Sequence, residues 1–235
     1  MNKSLLGFLL LLAVTWFTPF AHADGLVVDK VYHPYVLANE KEFEWRIMSS
    51  QTENKNRLGQ RFGYGQSFAE NKMLELYVIG ERDQDDNFGV TGYELEMRWM
   101  LTEQGQYSAD WGAIFEFEKH NGEDNFEATS GIAVEKEFGK LSATLNAFLI
   151  YEWGNSIENE FETEFRAKFR YRYMSVLQPS IEIYLGEDFV GIGPGFMGTY
   201  RFEGQKQLKW EAGFISEISH SGKDHTLRFA LEYEF

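Results

Sequence analysis

Apolar and polar residues alternate with a period of two along most of this chain. In the stretch 161–173 the odd positions are aromatic, Thr or Ala, and the even positions are all charged. A strand separates odd and even positions onto opposite faces, whereas a helix would mix them around its circumference. The stretch is longer than most strands of soluble domains. It suits a tilted strand that crosses a bilayer, which needs ~9–11 residues in the apolar zone.

The same alternation recurs between Gly- and Asn-containing turn signals. It is clear at 93–101, 110–118, 141–149, 180–185 and 225–235, and weaker at 41–49, 57–66, 72–80, 124–138, 189–203 and 206–217. The pattern predicts an all-β fold: one antiparallel, up-and-down transmembrane β-barrel of about twelve strands, with ten or fourteen as alternatives. Taking both chain ends as periplasmic, we expect longer outer loops and shorter inner turns.

The N-terminus predicts secretion. Lys3 precedes an apolar run at 5–17, and Ala21-His22-Ala23 provides a small-x-small cleavage pattern. These features are typical of a signal peptide over residues 1–23, cleaved near Ala23. Residues 24–39 are polar and interrupted by proline, so we expect them to lie in the periplasm, cap the inner mouth or enter the lumen. Residues 40–235 would then form the barrel.

Composition narrows the function. Aromatic residues make up 17% of the chain, with only 4 prolines, which is unusual for a soluble acidic domain. The absence of cysteine rules out disulfides and thiol chemistry. The net charge of −15 argues against nucleic-acid binding. The five histidines show no metal-ligand spacing. We therefore expect neither a cofactor nor a metal.

Several aromatic residues fall at outward positions near the predicted periplasmic strand ends. Such rings form belts at the membrane interface, because an amphipathic ring suits the headgroup level. The predicted belt comprises Trp99, Trp111, Tyr171, Tyr173, Tyr200 and Trp210.

The C-terminal strand carries a family resemblance. Alternating apolar residues run from Leu227 to a terminal Phe235. This resembles the assembly signal of Gram-negative outer-membrane β-barrel proteins, which implies a role for Leu231, Tyr233 and Phe235 in recognition by the barrel-assembly machinery. It also implies integration in the cell outer membrane, with outer-membrane lipid and lipopolysaccharide as partners. In size and strand count the chain looks like acidic-sugar porins of the oligogalacturonate type and the outer-membrane phospholipase. No motif assigns it to either group.

The inward positions are crowded with charge, with acids toward the outer half and bases toward the periplasmic half. The predicted lumen residues are Glu94, Glu96, Arg98, Glu116, Glu118, Glu162, Glu164, Arg166, Lys168, Arg170, Arg172, Arg201 and Lys209. Charged rings can set selectivity in a pore, so we expect a narrow porin-like channel for small solutes or ions. The same charges could instead pair and plug the barrel.

An enzyme is the remaining alternative, and we do not expect one. The adjacent His220 and Ser221 could serve an outer-leaflet lipid hydrolase, in which imidazole activates a hydroxyl. Adjacent residues of a strand point to opposite faces, however, which is poor geometry for such a pair.

Overall fold

The computed structural model describes residues 28–51, 56–82, 87–187, 189–219 and 224–235. The predicted signal peptide at 1–23, its cleavage near Ala23, and the pair His220 and Ser221 lie outside the described residues. Within these ranges, no helix combines the length and apolar character needed to cross a membrane.

Twelve antiparallel strands close into one barrel, in which each strand pairs with its neighbours in sequence and β12 pairs with β1. This confirms the predicted fold and strand number. The strands are β1 (Lys41–Gln51), β2 (Asn56–Ala69), β3 (Lys72–Arg82), β4 (Phe88–Met100), β5 (Asp110–His120), β6 (Asn125–Phe138), β7 (Leu141–Gly154), β8 (Glu160–Tyr171), β9 (Gln178–Leu185), β10 (Val190–Arg201), β11 (Gln207–Glu217) and β12 (His225–Glu234).

The burial pattern is the reverse of that in a soluble domain. Large apolar side chains on the outer face are exposed, such as Leu145 and Phe165 at 51% each. Charged side chains on the inner face are buried, and Arg46 and Glu96 are both fully inaccessible. A closed sheet with an apolar outer face and a polar inner face is the arrangement that a bilayer requires of a barrel.

The barrel closes through an unbroken register between its first and last strands. The pairs run from Glu42 opposite Glu234 to Gln51 opposite His225. The amide of Phe235 adds a bond to the carbonyl of Lys41 at 2.9 Å. We call the end of the barrel at Lys41 and Phe235 the terminal end, and the other the opposite end.

The prediction of longer connections at one end is wrong. At the terminal end, turns 70–71 and 139–140 are tight, and Gly139 has a φ of 64°. The connection 101–109 at that same end is nevertheless longer than the longest one at the opposite end, 218–224. Loop length therefore does not distinguish the two ends.

Candidate functional site

The inner wall carries the charged residues that the alternation placed there. Most are wholly or partly buried, and Arg201 is exposed at the terminal end. The buried members are Glu94, Glu96, Arg98, Glu164 and Lys168, and the partly buried ones are Glu116, Glu118, Glu162, Arg166, Arg170, Arg172 and Lys209.

The basic residues of the terminal half are paired with carboxylates, mostly from other strands. The pairs, at 2.5 to 3.1 Å, are Arg166–Glu164, Lys168–Glu211, Arg170–Glu135, Arg172–Glu137 and Lys209–Glu232. The terminal half is therefore not the basic zone that the sequence predicted. Apart from the exposed Arg201, the positive charges predicted there are neutralised by an interleaved set of glutamates.

Sequence reasoning placed Arg98 in the lumen but missed the buried Arg228. It also missed four of the paired glutamates: Glu135, Glu137, Glu211 and Glu232. Arg98 lies 2.8 Å from Glu42 and 2.6 Å from Glu75. Arg228 contacts Glu182 at 2.8 Å in the same way. The signal that could have found them is the inner face of the other strands, because these residues occupy the same positions there as the charges on β8. Buried pairs of this kind are costly to break, since the remaining partner is left as an unpaired charge.

The most consequential feature is the segment 28–39, which we call the lumenal segment. It runs along the inside of the barrel, where Val28, Asp29, Lys30, Val31 and Tyr32 are buried. Val28 and Val31 pack against Tyr184 and Ile215 of the wall. Of the three positions left open by the sequence, the described part of this segment occupies the lumen.

Two charged residues anchor the lumenal segment. Asp29 contacts Arg46 at 2.7 Å and lies 3.9 Å from Arg61. Burial disfavours its charged form, but the two arginines hold the pKa of Asp29 well below its usual range. Lys30 contacts Glu44 at 2.9 Å and Glu232 at 3.1 Å.

Tyr32 fixes the middle of the segment. Its hydroxyl donates to Glu96 at 2.9 Å, and its ring packs edge-on against Phe148 at a centroid distance of 6.0 Å. Asn146 binds both the amide and the carbonyl of Tyr32, each at 2.8 Å. The Asn146 side chain therefore satisfies the backbone amide and carbonyl of Tyr32, as the backbone of a neighbouring strand would do in a sheet.

A cavity of about 340 Å³ remains beside the segment toward the terminal end. His33 and Tyr35 line one side of it, and Glu135, Arg170 and Lys209 line the wall. Many of the side chains that line it are charged, so the inner part of the lumen keeps space for a small polar solute.

The opposite end has a different character, because glutamates occupy directly paired positions on five successive strands. Glu94 lies across from Glu118, Glu118 from Glu127, Glu127 from Glu152 and Glu152 from Glu160. We call these five residues the glutamate ladder. One register step deeper, Glu96 faces Glu116. Like charges directly opposite each other destabilise a sheet.

Arg61 is the cation nearest to one end of the glutamate ladder. Its guanidinium pairs closely with Glu94 and lies 3.9 Å from Glu118. Glu127 accepts a hydrogen bond from Thr129 at 3.0 Å. Glu116 has no hydrogen bond or ion pair with any described residue.

The sequence did not predict a metal site. In the structure, the carboxylates that lie close enough together to hold a metal ion are at the terminal end. One group comprises Glu40, Glu42, Glu232 and Glu234, and a second comprises Glu42, Glu44 and Glu75. Ammonium and guanidinium groups of Lys30, Arg98 and Lys209 already contact these carboxylates.

The outer surface carries aromatic residues near both ends. The predicted belt residues Trp99, Trp111, Tyr171, Tyr173, Tyr200 and Trp210 lie on the outer side at the terminal end, and Trp210 is opposite Gly198 in the register. A second group was missed by the sequence analysis and surrounds Trp153 at the opposite end. Its rings are within 4.5 to 6.1 Å of their neighbours and belong to Phe117, Phe126, Tyr151, Trp153 and Phe161.

Comparison with known proteins shows the fold. No protein-family model matches the sequence, and no curated protein is significantly similar to it. The structure resembles a KdgM porin in complex with disordered oligogalacturonate, at 12% identity and a TM-score of 0.56, over 83% of this chain and 99% of that one. It also resembles an outer membrane channel from Pseudomonas putida F1, at 12% identity and a TM-score of 0.57, over 88% and 100% of the two chains.

A third similar structure is the β domain of the Bordetella autotransporter BrkA. The identity is 9% and the TM-score 0.54, over 84% of this chain and 99% of that domain. At such identities these likenesses show the fold, a closed β-barrel of the outer-membrane type.

Proposed function

We propose that this chain is an integral outer-membrane channel for small solutes or ions, narrowed by its own lumenal segment. The observation that carries the proposal is the combination of an apolar outer face with a charged lumen that retains a cavity of about 340 Å³. The KdgM porin and the Pseudomonas channel support it, because both are channels built on this fold.

In this proposal the terminal end faces the periplasm, since bacterial barrels with an even strand number place both chain ends there. The opposite end with the glutamate ladder then faces the cell exterior. Outer-membrane lipid and lipopolysaccharide would contact the apolar belt between the two aromatic groups. The barrel-assembly machinery would recognise the strand ending at Phe235.

The bound sugar of the KdgM porin does not carry over to this chain. An oligogalacturonate is an anionic solute, whereas the opposite end of this barrel presents a row of glutamates. Selectivity would therefore be decided by the lumen charges that remain incompletely paired, such as Glu116, Glu118 and Arg201.

A structural barrel without transport is the second candidate, and the lumenal segment favours it. Buried ion pairs at Asp29 and Lys30 hold that segment across the lumen. Planar-bilayer recordings distinguish the candidates. We expect the folded protein to conduct weakly, and a variant lacking residues 28–36 to conduct several-fold more, because the deletion clears the lumen.

A Ser108→Ala variant in the connection 101–109, at an exposed position away from the cavity, is the control and should conduct like the parent. Absence of conductance above background in both the parent and the deletion variant would overturn the channel proposal in favour of the structural barrel. Heat-modifiable migration in detergent gels checks that each variant is folded.

A further inference from the structure

We infer that the glutamate ladder binds a linear organic polyamine, which makes small polycations the substrate class of the proposed channel. The inference rests on the proposed function for its role in transport, but the binding itself can be measured separately. It starts from the register of β4 to β8, in which glutamates stand directly opposite one another on adjacent strands.

The first argument concerns spacing. Adjacent strands lie about 4.8 Å apart, so the glutamate ladder presents carboxylates at short, regular intervals along the wall. A linear polyamine carries ammonium groups separated by short methylene chains. It can therefore place successive charges opposite successive carboxylates.

The second argument concerns an unsatisfied buried atom. The side chain of Glu94 is 2% exposed, and its Oε1 has no hydrogen-bond partner within the described ranges although Oε2 is held by Arg61. A buried carboxylate oxygen without a donor is costly. An ammonium group at this point would supply the missing donor and a compensating charge.

The third argument concerns the balance of charge around Arg61. This one guanidinium serves Glu94 and, at 3.9 Å, Glu118. Among the described residues Glu127 accepts a hydrogen bond only from the Thr129 hydroxyl, and Glu116 makes no hydrogen bond or ion pair with them. Glu116, Glu118 and Glu127 are each partly accessible, so a soluble cation can reach them from the lumen.

The geometry favours an extended cation over a chelated metal ion. A metal needs several ligand atoms converging on one point. Within the described residues, the carboxylate oxygens that do converge belong to Glu42 and its neighbours at the terminal end, not to the glutamate ladder. The ladder spreads its charges along an arc instead.

The test is equilibrium binding of spermidine to the folded, detergent-solubilised full-length barrel. We expect saturable binding that weakens as salt rises, because the partly exposed charges are screened. The double variant Glu118→Gln/Glu127→Gln should raise the dissociation constant about tenfold, through the loss of two partly screened charge contacts. The control Glu103→Gln/Glu203→Gln removes the same charge from exposed turns at the terminal end and should bind like the parent.

Equal affinity of the two double variants, or no spermidine binding to folded parent protein, would overturn the inference. Displacement of spermidine by an equal concentration of Ca²⁺ would also overturn it, in favour of a metal site. The single variant Glu118→Gln, which keeps the other carboxylates, provides the measurement if a double variant does not fold. Binding without any conductance would contradict the channel while leaving the polyamine site supported.

Discussion

Asn146 and Tyr32 form a reciprocal pair, in which the Asn146 side chain accepts from the Tyr32 amide and donates to the Tyr32 carbonyl, both at 2.8 Å. The two residues are far apart in sequence, and Asn146 is 3% exposed. An amide side chain can satisfy a backbone amide and carbonyl together only if it offers a donor and an acceptor side by side. This pair therefore fixes the depth at which the lumenal segment sits.

Replacing Asn146 should loosen the lumenal segment without unfolding the barrel. Asn146→Ala removes both hydrogen bonds and leaves backbone groups unsatisfied, at a cost of ~1–3 kcal/mol to docking. We expect faster hydrogen exchange of the Tyr32 amide and larger current fluctuations in bilayers. Asn71→Ala is the matched control, because Asn71 donates to the Met100 carbonyl in a turn away from the segment. Unchanged exchange at Tyr32 would show that other contacts hold the segment.

A methyl group at Gly112 should displace the segment at a second point. A Cβ there would lie 2.8 Å from the Cα of Pro34 and 3.0 Å from its carbonyl oxygen, so Gly112→Ala forces Pro34 to move. We expect increased protease cleavage near Pro34 in the folded barrel. At Gly89 a Cβ meets no heavy atom within 4 Å, and Gly89→Ala should behave like the parent. Equal cleavage of the two variants would mean that the segment is already loose.

A charge on the outer face should be far more damaging than one in a turn. Leu145 points outward on β7 and is 51% exposed, so Leu145→Arg should cost ~2–4 kcal/mol in a bilayer. Gln205→Arg places the same side chain in an exposed turn and should change stability little. Denaturant unfolding in lipid vesicles measures both. Similar losses would indicate that Leu145 does not face lipid.

Removal of Phe235 should impair assembly more than it impairs the finished barrel. The ring of Phe235 stacks on the rings of Phe43 and Tyr233, at centroid distances of 5.6 and 5.8 Å. Its backbone amide donates a hydrogen bond to the Lys41 carbonyl. We expect the deletion to slow insertion and to lower the amount of heat-modifiable protein in outer membranes. Phe138→Ala, which removes another exposed ring at the terminal end, is the control. Normal levels of the deletion variant would show that the terminal phenylalanine is dispensable.

The sequence was sufficient to predict the barrel and its strand number, because the period-two alternation survives even in the weaker stretches. The sequence also showed which charged residues of a strand face the lumen, because alternation assigns each residue to the inner or the outer face. Their pairing was not predictable. Arg98 meets Glu42 and Glu75 only because β1, β3 and β4 curve around the same lumen, and no local pattern encodes that curvature.

The position of the lumenal segment was not predictable from the sequence either. Residues 28–39 lack the alternation, so no periodicity indicated where they lie. Their position depends on contacts with distant residues, such as Tyr184, whose hydroxyl donates to the Asp29 carbonyl at 2.7 Å. The glutamate ladder was partly visible in the sequence: Glu94 and Glu118 were predicted to face inward, but the complete row and its direct opposition needed the register.

Lys30 contacts Glu44 on the first strand and Glu232 on the last. These two partners come together only when β12 docks on β1, after the ten intervening strands have been laid down. The earliest part of the described chain thus gains its full set of bonds at the last moment of assembly. Pairing between such distant segments is slow because a long loop must close first. During that interval β1 has one unpaired edge, which makes the unfinished barrel most vulnerable to aggregation along its first strand.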